Sequence, residues 1–362
     1  MFSRPVISDR LNALFDLSRR RGQPAAWRMI VIWDCLIGHQ AQIEMFRRAV
    51  ARGRLGQGYL LVGPPGIGKQ MFARLLAQCL FCERFDETDL QACEECDSCR
   101  QMQAGHHPDL LTIGLPDGKR TLPISLLVGE DGARGRSGLC YEIAMAPMSA
   151  SRRIAIINDA QTMSEEAVNS LLKTLEEPPV GSVLFLIVPD VDLILPTIRS
   201  RCQPIHFAPL QAHQVLELLH AEQVDTTQIE PMIQIAEGSL DVARELLAPG
   251  LRKLWQVVEK SLSASSVHAL RTVKEITAVL EELGGDTATQ RQHLQWIIQF
   301  SVDTLRRQLS QTDDVAQWDR LGVMLDRCFD AHMHLQQSMP VPLCLEAMFT
   351  EIGKRSRQFP GG

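Results

Sequence analysis

No uncharged apolar run anywhere in the 362 residues approaches the roughly 18 that a membrane-spanning helix needs. There is no basic surplus either: Lys and Arg number 37 against 43 Asp and Glu, a formal net charge of −6. A free-standing nucleic-acid binder usually carries the opposite imbalance, so any nucleic-acid role has to use a local patch or a partner's charges. The opening stretch, MFSRPVISDRLNALFDLSRRRGQPAAW, lacks the continuous apolar core and small-residue cleavage site of a secretory signal. Asp9 and Asp16 count against an organelle transit peptide despite Arg19, Arg20 and Arg21. A cytoplasmic protein is expected, in which the ten cysteines are free thiols or metal ligands before they are disulfides. What is present, 45% hydrophobic and 22% charged residues, suits a globular chain, and the length suits two or three domains at about 150 residues each.

The stretch YLLVGPPGIGKQMFARLLAQCL runs from a short apolar strand through a Gly-rich loop into a helix with Phe72, Leu75, Leu76 and Leu80 on one stripe. RIAIIND and Ser182 to Val188 are continuous apolar strands of the kind parallel sheets bury. Between them, Ser164 caps a helix through EEAVNSLLKTLEE that Pro178 and Pro179 end. Alternating strands and helices predict an α/β domain reaching about Leu210. Beyond it the strands stop. QAHQVLELLHAEQ, EPMIQIAEGS and LDVARELLAPG read as three short helices, and later apolar stripes, among them Trp255 with Val258, and Leu321, Met324, Leu325, Cys328 and Phe329, predict a helical bundle. GGDTATQ is expected to be a loop within that bundle.

The GPPGIGKQ segment, Gly63, Pro64, Pro65, Gly66, Ile67, Gly68, Lys69 and Gln70, matches a phosphate-binding loop except at its last position. Such a loop works because backbone N–H groups and a helix N-terminus cradle phosphates, the Lys neutralises β- and γ-oxygens, and a terminal Ser or Thr holds magnesium. Gln70 offers an amide instead, a poorer and longer-reaching magnesium ligand. The strand RIAII should end in a metal-holding acid followed by one that orients water, yet Asn158 and Asp159 stand there. Phosphate binding is expected to outlast metal placement. The alternative is an ordinary Gly-rich turn in another fold.

CERFDETDLQACEECDSC places Cys82, Cys93, Cys96 and Cys99 in one segment, and its two C-x-x-C steps let paired thiolates bite one tetrahedral ion. A structural zinc is expected, organising a loop too short for a core of its own. Redox chemistry by the same steps is disfavoured, because four thiols cluster and no thioredoxin-like βαβ context appears. Cys79 reads as a buried helix residue and His106 and His107 as loop residues.

GPPGIGK, the four cysteines, QMQAGHHPDLL, NSLLKTLEEPP and TIRSRC, in that order, resemble the bacterial clamp-loader subunits of DNA polymerase III, over roughly Trp33 to Gly250 by motif. The wording around Met102 to Asp109 and the altered metal site resemble the delta-prime type more than the gamma/tau ATPase. The resemblance implies an AAA+ module: a RecA-like P-loop α/β domain with a parallel sheet (33–210) carrying a zinc module at about 79–105, a three-helix lid (211–250) and an all-α collar (251–362). Residues 1–32 are then an N-terminal extension, expected to be disordered, and translation starts at either Met1 or Met29. The implied partners are gamma/tau and delta in a five-subunit ring, the sliding clamp, and primed DNA through the assembly. Where the ATPase carries a polar sensor this chain has Val188 and Pro189, and where a lid arginine follows GSL it has Asp241, with Arg244 one turn on. The resemblance thus implies a stator that binds ATP or ADP without hydrolysing it, with Arg201 of the Ser-Arg-Cys motif serving as an arginine finger on a neighbour. Two other readings stay open: an active gamma/tau-like ATPase, which needs the missing polar residues, and a zinc-dependent nucleic-acid-binding module, which the acidic CEECDSC does not favour.

Overall fold

The computed structural model describes residues 32–358 apart from Gln228, Ser265 and Ser338. The expected extension and the start at Met29 lie outside the described residues, except for Ile32. That residue belongs to the core, 1% exposed, and Trp33 beside it donates from Nε1 to the Leu90 carbonyl at 2.9 Å.

Among the described residues five parallel strands make one sheet: β1 (Gly58–Val62), β2 (Leu110–Ile113), β3 (Arg153–Ile157), β4 (Ser182–Val188) and β5 (Gln203–His206). Their order is β2-β3-β4-β1-β5, with Leu60 beside Leu186 and Ile156 beside Phe185. β3 and β4 are buried at every position, as strands covered on both faces must be. Successive side chains point to opposite faces, so Tyr59, Leu61, Ile154, Ile156, Phe185 and Ile187 enter one core. Leu60, Val62, Ala155, Ile157, Leu184, Leu186 and Val188 enter the other.

Helices α1 (Gln40–Ala51), α2 (Lys69–Phe81) and α3 (Asp97–Ala104) contribute to the first core, where Phe46, Phe72 and Phe185 are fully buried. Truncating any of them to Ala is expected to cost about 3–5 kcal/mol. Helix α4 (Glu165–Glu176) covers the second face through Ala167, Val168, Leu171 and Leu175. Its first turn is capped by Ser164, whose Oγ accepts the Ala167 N–H, and the chain meets Pro178 two residues beyond its end.

The described residues divide into two compact units. The first runs to Asp225 and includes α5 (Ala212–Ala221) and the return segment 237–241. The second takes 226–236 and everything from Val242 onward. α6 (Leu240–Leu246) straddles the division, and α7 (Pro249–Leu262), α8 (Ala269–Leu283), α9 (Thr287–Gln311), α10 (Val315–Gln336) and α11 (Val341–Gln358) make the rest of the second unit. In it α9 packs on α7 and α10, and α11 on α8 and α10.

The short helix expected at EPMIQIAEGS is a 3-10 helix over residues 230–236. Two elements differ from the sequence expectation. GGDTATQ is only half a loop: Asp286 accepts the Thr289 N–H and starts α9 at Thr287. Phe329, expected in the core stripe, is 50% exposed, because the buried side of α10 runs through Leu321, Met324, Cys328, Ala331 and Leu335. No helix among the described residues is long and apolar enough to cross a membrane.

Candidate functional site

At the carboxyl end of β1 the chain turns through Gly63 to Gly68 and enters α2 at Lys69. Gly63 cannot carry a side chain, since a Cβ would lie 2.4 Å from the Phe207 carbonyl oxygen. Gly66, at φ +74°, is closed from above: a Cβ would come 2.2 Å from Ser239 Oγ, and the Leu240 N–H donates to the Gly66 carbonyl at 3.0 Å. Lys69 turns inward and donates to the carbonyls of Gly63 and Pro64. Burial pulls its ammonium down to about 8, with the Asp159 charge acting the other way. Below the loop, the fully buried His39 sets Nε2 2.6 Å from the Ile67 carbonyl oxygen.

Asn158 and Asp159 follow β3 at the same edge of the sheet, and Val188 closes β4 there with 1% exposure. Pro64, Pro65, Ile67 and Asp241 gather at this edge as well: Asp241 Cβ would be 3.0 Å from a Cβ on Gly66, whereas Arg244 falls in the second unit. The donor set fits a phosphate better than a magnesium ion. Backbone and Lys69 remain, but the carboxylate position is an amide, Asn158, and the Nε2 of Gln70 is buried without a hydrogen-bond partner.

The four cysteines come together. The sulfurs of Cys82, Cys93, Cys96 and Cys99 lie within 4.8 Å of one another, and Cys93 to Cys99 is 4.0 Å. A tetrahedral ion with sulfur bonds of about 2.3 Å would set them about 3.8 Å apart. Backbone N–H groups already point at sulfur: Cys93 N to Cys82 Sγ at 3.3 Å, Cys96 N to Cys93 Sγ at 3.3 Å, and Cys99 N to Cys96 Sγ at 3.4 Å. Burial pushes the Cys93 thiol up, but the backbone donors of Glu95 and Cys96 outweigh it and bring it to about 7. This donor set fits a thiolate-binding metal ion. The segment is not without a core, contrary to expectation, because Leu90 within it is fully buried and accepts the Trp33 bond. Cys79 is buried nearby.

Two residues of the HHPD stretch have roles that spacing does not reveal. His107 stacks on Phe81, centroids 4.4 Å apart, and pairs with Ser98. Asp109, fully buried, accepts the backbone N–H groups of Met148, Ser149 and Ala150 and lies 3.3 Å from Arg153 Nε. His106 is exposed.

Arg201 lies at the other edge of the sheet. Its carbonyl would be 3.2 Å from a Cβ on Gly58, the first residue of β1, and two residues later β5 begins at Gln203. At about 3.3 Å per residue, β1 separates Arg201 from the loop after Val62 by about 13 Å. The guanidinium is paired with Glu176, Nη2 to Oε1 2.6 Å, and Nη1 donates to the Thr197 carbonyl at 2.8 Å.

The model of the family described as DNA polymerase III, delta subunit, matches residues 38–211, which contain the loop, the cysteines and Arg201. The delta' subunit of Pseudomonas aeruginosa is 29% identical over 280 residues, 75% of this chain and 79% of that one. These similarities support a delta-prime-type clamp-loader subunit of DNA polymerase III. Among its relatives the Bacillus subtilis delta' subunit is 32% identical over 54% of this chain, which spans 56% of that protein. The Escherichia coli tau subunit is 30% identical over 61% of this chain, which spans a third (33%) of tau. A solved structure of a DNA polymerase III gamma subunit-related protein from Thermotoga maritima aligns over 87% of this chain and all (100%) of its own, at 16% identity and a TM-score of 0.43.

Proposed function

We propose that this delta-prime-type subunit is a stator of the clamp loader: it takes its place in the ring with gamma/tau and delta subunits, helps load the sliding clamp onto primed DNA, and supplies Arg201 to the nucleotide of a neighbouring subunit. Its own loop holds ATP or ADP at most, without hydrolysis, because the magnesium position carries Gln70 and the acidic pair is Asn158 and Asp159. A structural zinc on Cys82, Cys93, Cys96 and Cys99 organises the segment between α2 and β2.

The observation that carries this reading is the placement of Arg201 at the amino edge of β1, with the phosphate loop at the carboxyl edge. An arginine finger stabilises charge on a transferring phosphoryl group within hydrogen-bonding reach. Arg201 is too far from its own loop to do so, and one-third exposed, it is open to another chain. The test is DNA-stimulated ATP turnover by a loader reconstituted with Arg201→Ala or Arg201→Lys, with ring assembly followed by gel filtration. Both variants are expected to assemble and to lose about a hundredfold or more in turnover, Lys included, because an ammonium lacks the planar fork. Full turnover in both assembled rings refutes the reading.

A further inference from the structure

Glu176 is the last residue of α4, and Pro178 and Pro179 turn the chain away immediately after it. Its carboxylate meets Arg201 Nη2, while Nη1 bonds within the arginine's own turn, to the Thr197 carbonyl and to Ser200 Oγ at 3.1 Å. The Nε–H has no partner among the described residues. Both terminal nitrogens of the fork are therefore anchored and the Nε–H is left open. Gly58 lets the Arg201 backbone approach β1, and Arg201 with Gly56, Leu175 and Pro178 lines a cavity of 260 Å³ beside the pair.

We infer that Glu176 is a positioning residue for Arg201, holding the guanidinium in one rotamer with its Nε edge free for a phosphoryl oxygen of the neighbouring subunit. The inference rests on the trans role proposed above for Arg201. Both partners are substantially exposed, 34% and 48%, so the pair is weak and screened by solvent. A weak contact to Nη2 suits a positioning role, because it selects an orientation for a long, flexible side chain without competing strongly with a doubly charged phosphoryl group. An interaction that orients the finger only as charge develops lowers kcat when lost and leaves KM unchanged.

The experiment uses the reconstituted, DNA-stimulated loader with full-length subunits. Glu176→Gln is expected to lower kcat about tenfold at unchanged KM for ATP. Glu176→Asp should recover part of that loss, and Glu177→Gln, which removes an equal charge one residue away, should retain the unmutated rate. In the Arg201→Ala background, Glu176→Gln should cost nothing further. Unmutated kcat in Glu176→Gln overturns the inference, as does an additive loss in the double variant, which would assign Glu176 to the stability of the α4 terminus instead. An unaffected Arg201→Ala ring removes the trans role itself, and the positioning role with it; a defective Arg201→Ala ring beside a normal Glu176→Gln ring removes the positioning role alone.

Discussion

His107 Nε2 and Ser98 Oγ, 2.8 Å apart, join the cysteine segment to the sheet. The Asp109 N–H donates to His107 Nδ1 at 3.2 Å, which leaves Nδ1 unprotonated and makes Nε2–H the donor to Ser98. Ser98 lies between Cys96 and Cys99, so the imidazole props the turn on which two of the four thiols stand.

His107→Ala removes both the hydrogen bond and the stack on Phe81 at a position 3% exposed. The expected loss is about 1–3 kcal/mol in urea unfolding. The four clustered thiols should also react faster with a chromogenic disulfide reagent than in the unmutated chain. Unchanged stability and unchanged thiol reactivity would show that the imidazole supports nothing.

Asp109→Asn tests the buried acid. Burial alone would raise its carboxyl, but the backbone donors of Met148, Ser149 and Ala150 outweigh it and hold the group below its ordinary 3.8. A depressed carboxylate contributes stability that is present above the unfolded value and lost as pH falls through the folded one. Asp109→Asn should therefore cost about 3 kcal/mol at neutral pH, and the gap from the unmutated chain should narrow as pH drops below 3.8. Denaturation midpoints measured across that range decide it; a gap independent of pH contradicts the prediction.

Cys96→Ser separates the metal from the helix. Cys96 caps α3 by accepting the Cys99 N–H, which a serine hydroxyl also does, so α3 should survive the change. The proposed zinc should not. Elemental analysis is expected to find one zinc per unmutated chain and none in the variant, while the melting of the sheet domain shifts little. Protein purified without chelator and free of zinc refutes the metal assignment.

Lys69→Ala addresses the loop. The lysine is bonded to its own loop carbonyls and held down to about 8 by burial, and no metal-holding hydroxyl follows it. The isolated chain is expected to hydrolyse no ATP above background, and a ring carrying Lys69→Ala should turn over at the unmutated rate. Strong hydrolysis by the isolated chain, abolished by Lys69→Ala, would establish an active ATPase.

β1, β3 and β4 were legible in the sequence because strands buried on both faces are apolar without interruption. β2 and β5 were not: each is a four-residue edge strand, partly exposed, and β5 contains Pro204, which an edge tolerates because its missing N–H leaves no interior bond unmade. The phosphate loop and the cysteines were legible for a different reason, since their chemistry is local and shows in spacing. The contacts that complete these sites join distant parts of the chain. Ser239 against Gly66, Asp109 beneath Met148 to Ala150, and Glu176 beside Arg201 arise only when the strands align. The burial of Leu90 was missed in the same way, its partner Trp33 being distant in sequence.

The opposite placement of Arg201 and the phosphate loop along β1 gives the subunit a direction. On the proposed reading, a contact that brings the arginine of one subunit to the loop of the next is heterologous, so like-built subunits joined this way run head to tail rather than face to face. In such a series every chain is a donor on one side and an acceptor on the other. A chain whose own loop cannot hydrolyse still passes its arginine forward, yet the arginine it receives fires nothing. On the proposed reading its silence is thus polar: it would mark where a circuit of hydrolysis begins and order the subunits on either side of it.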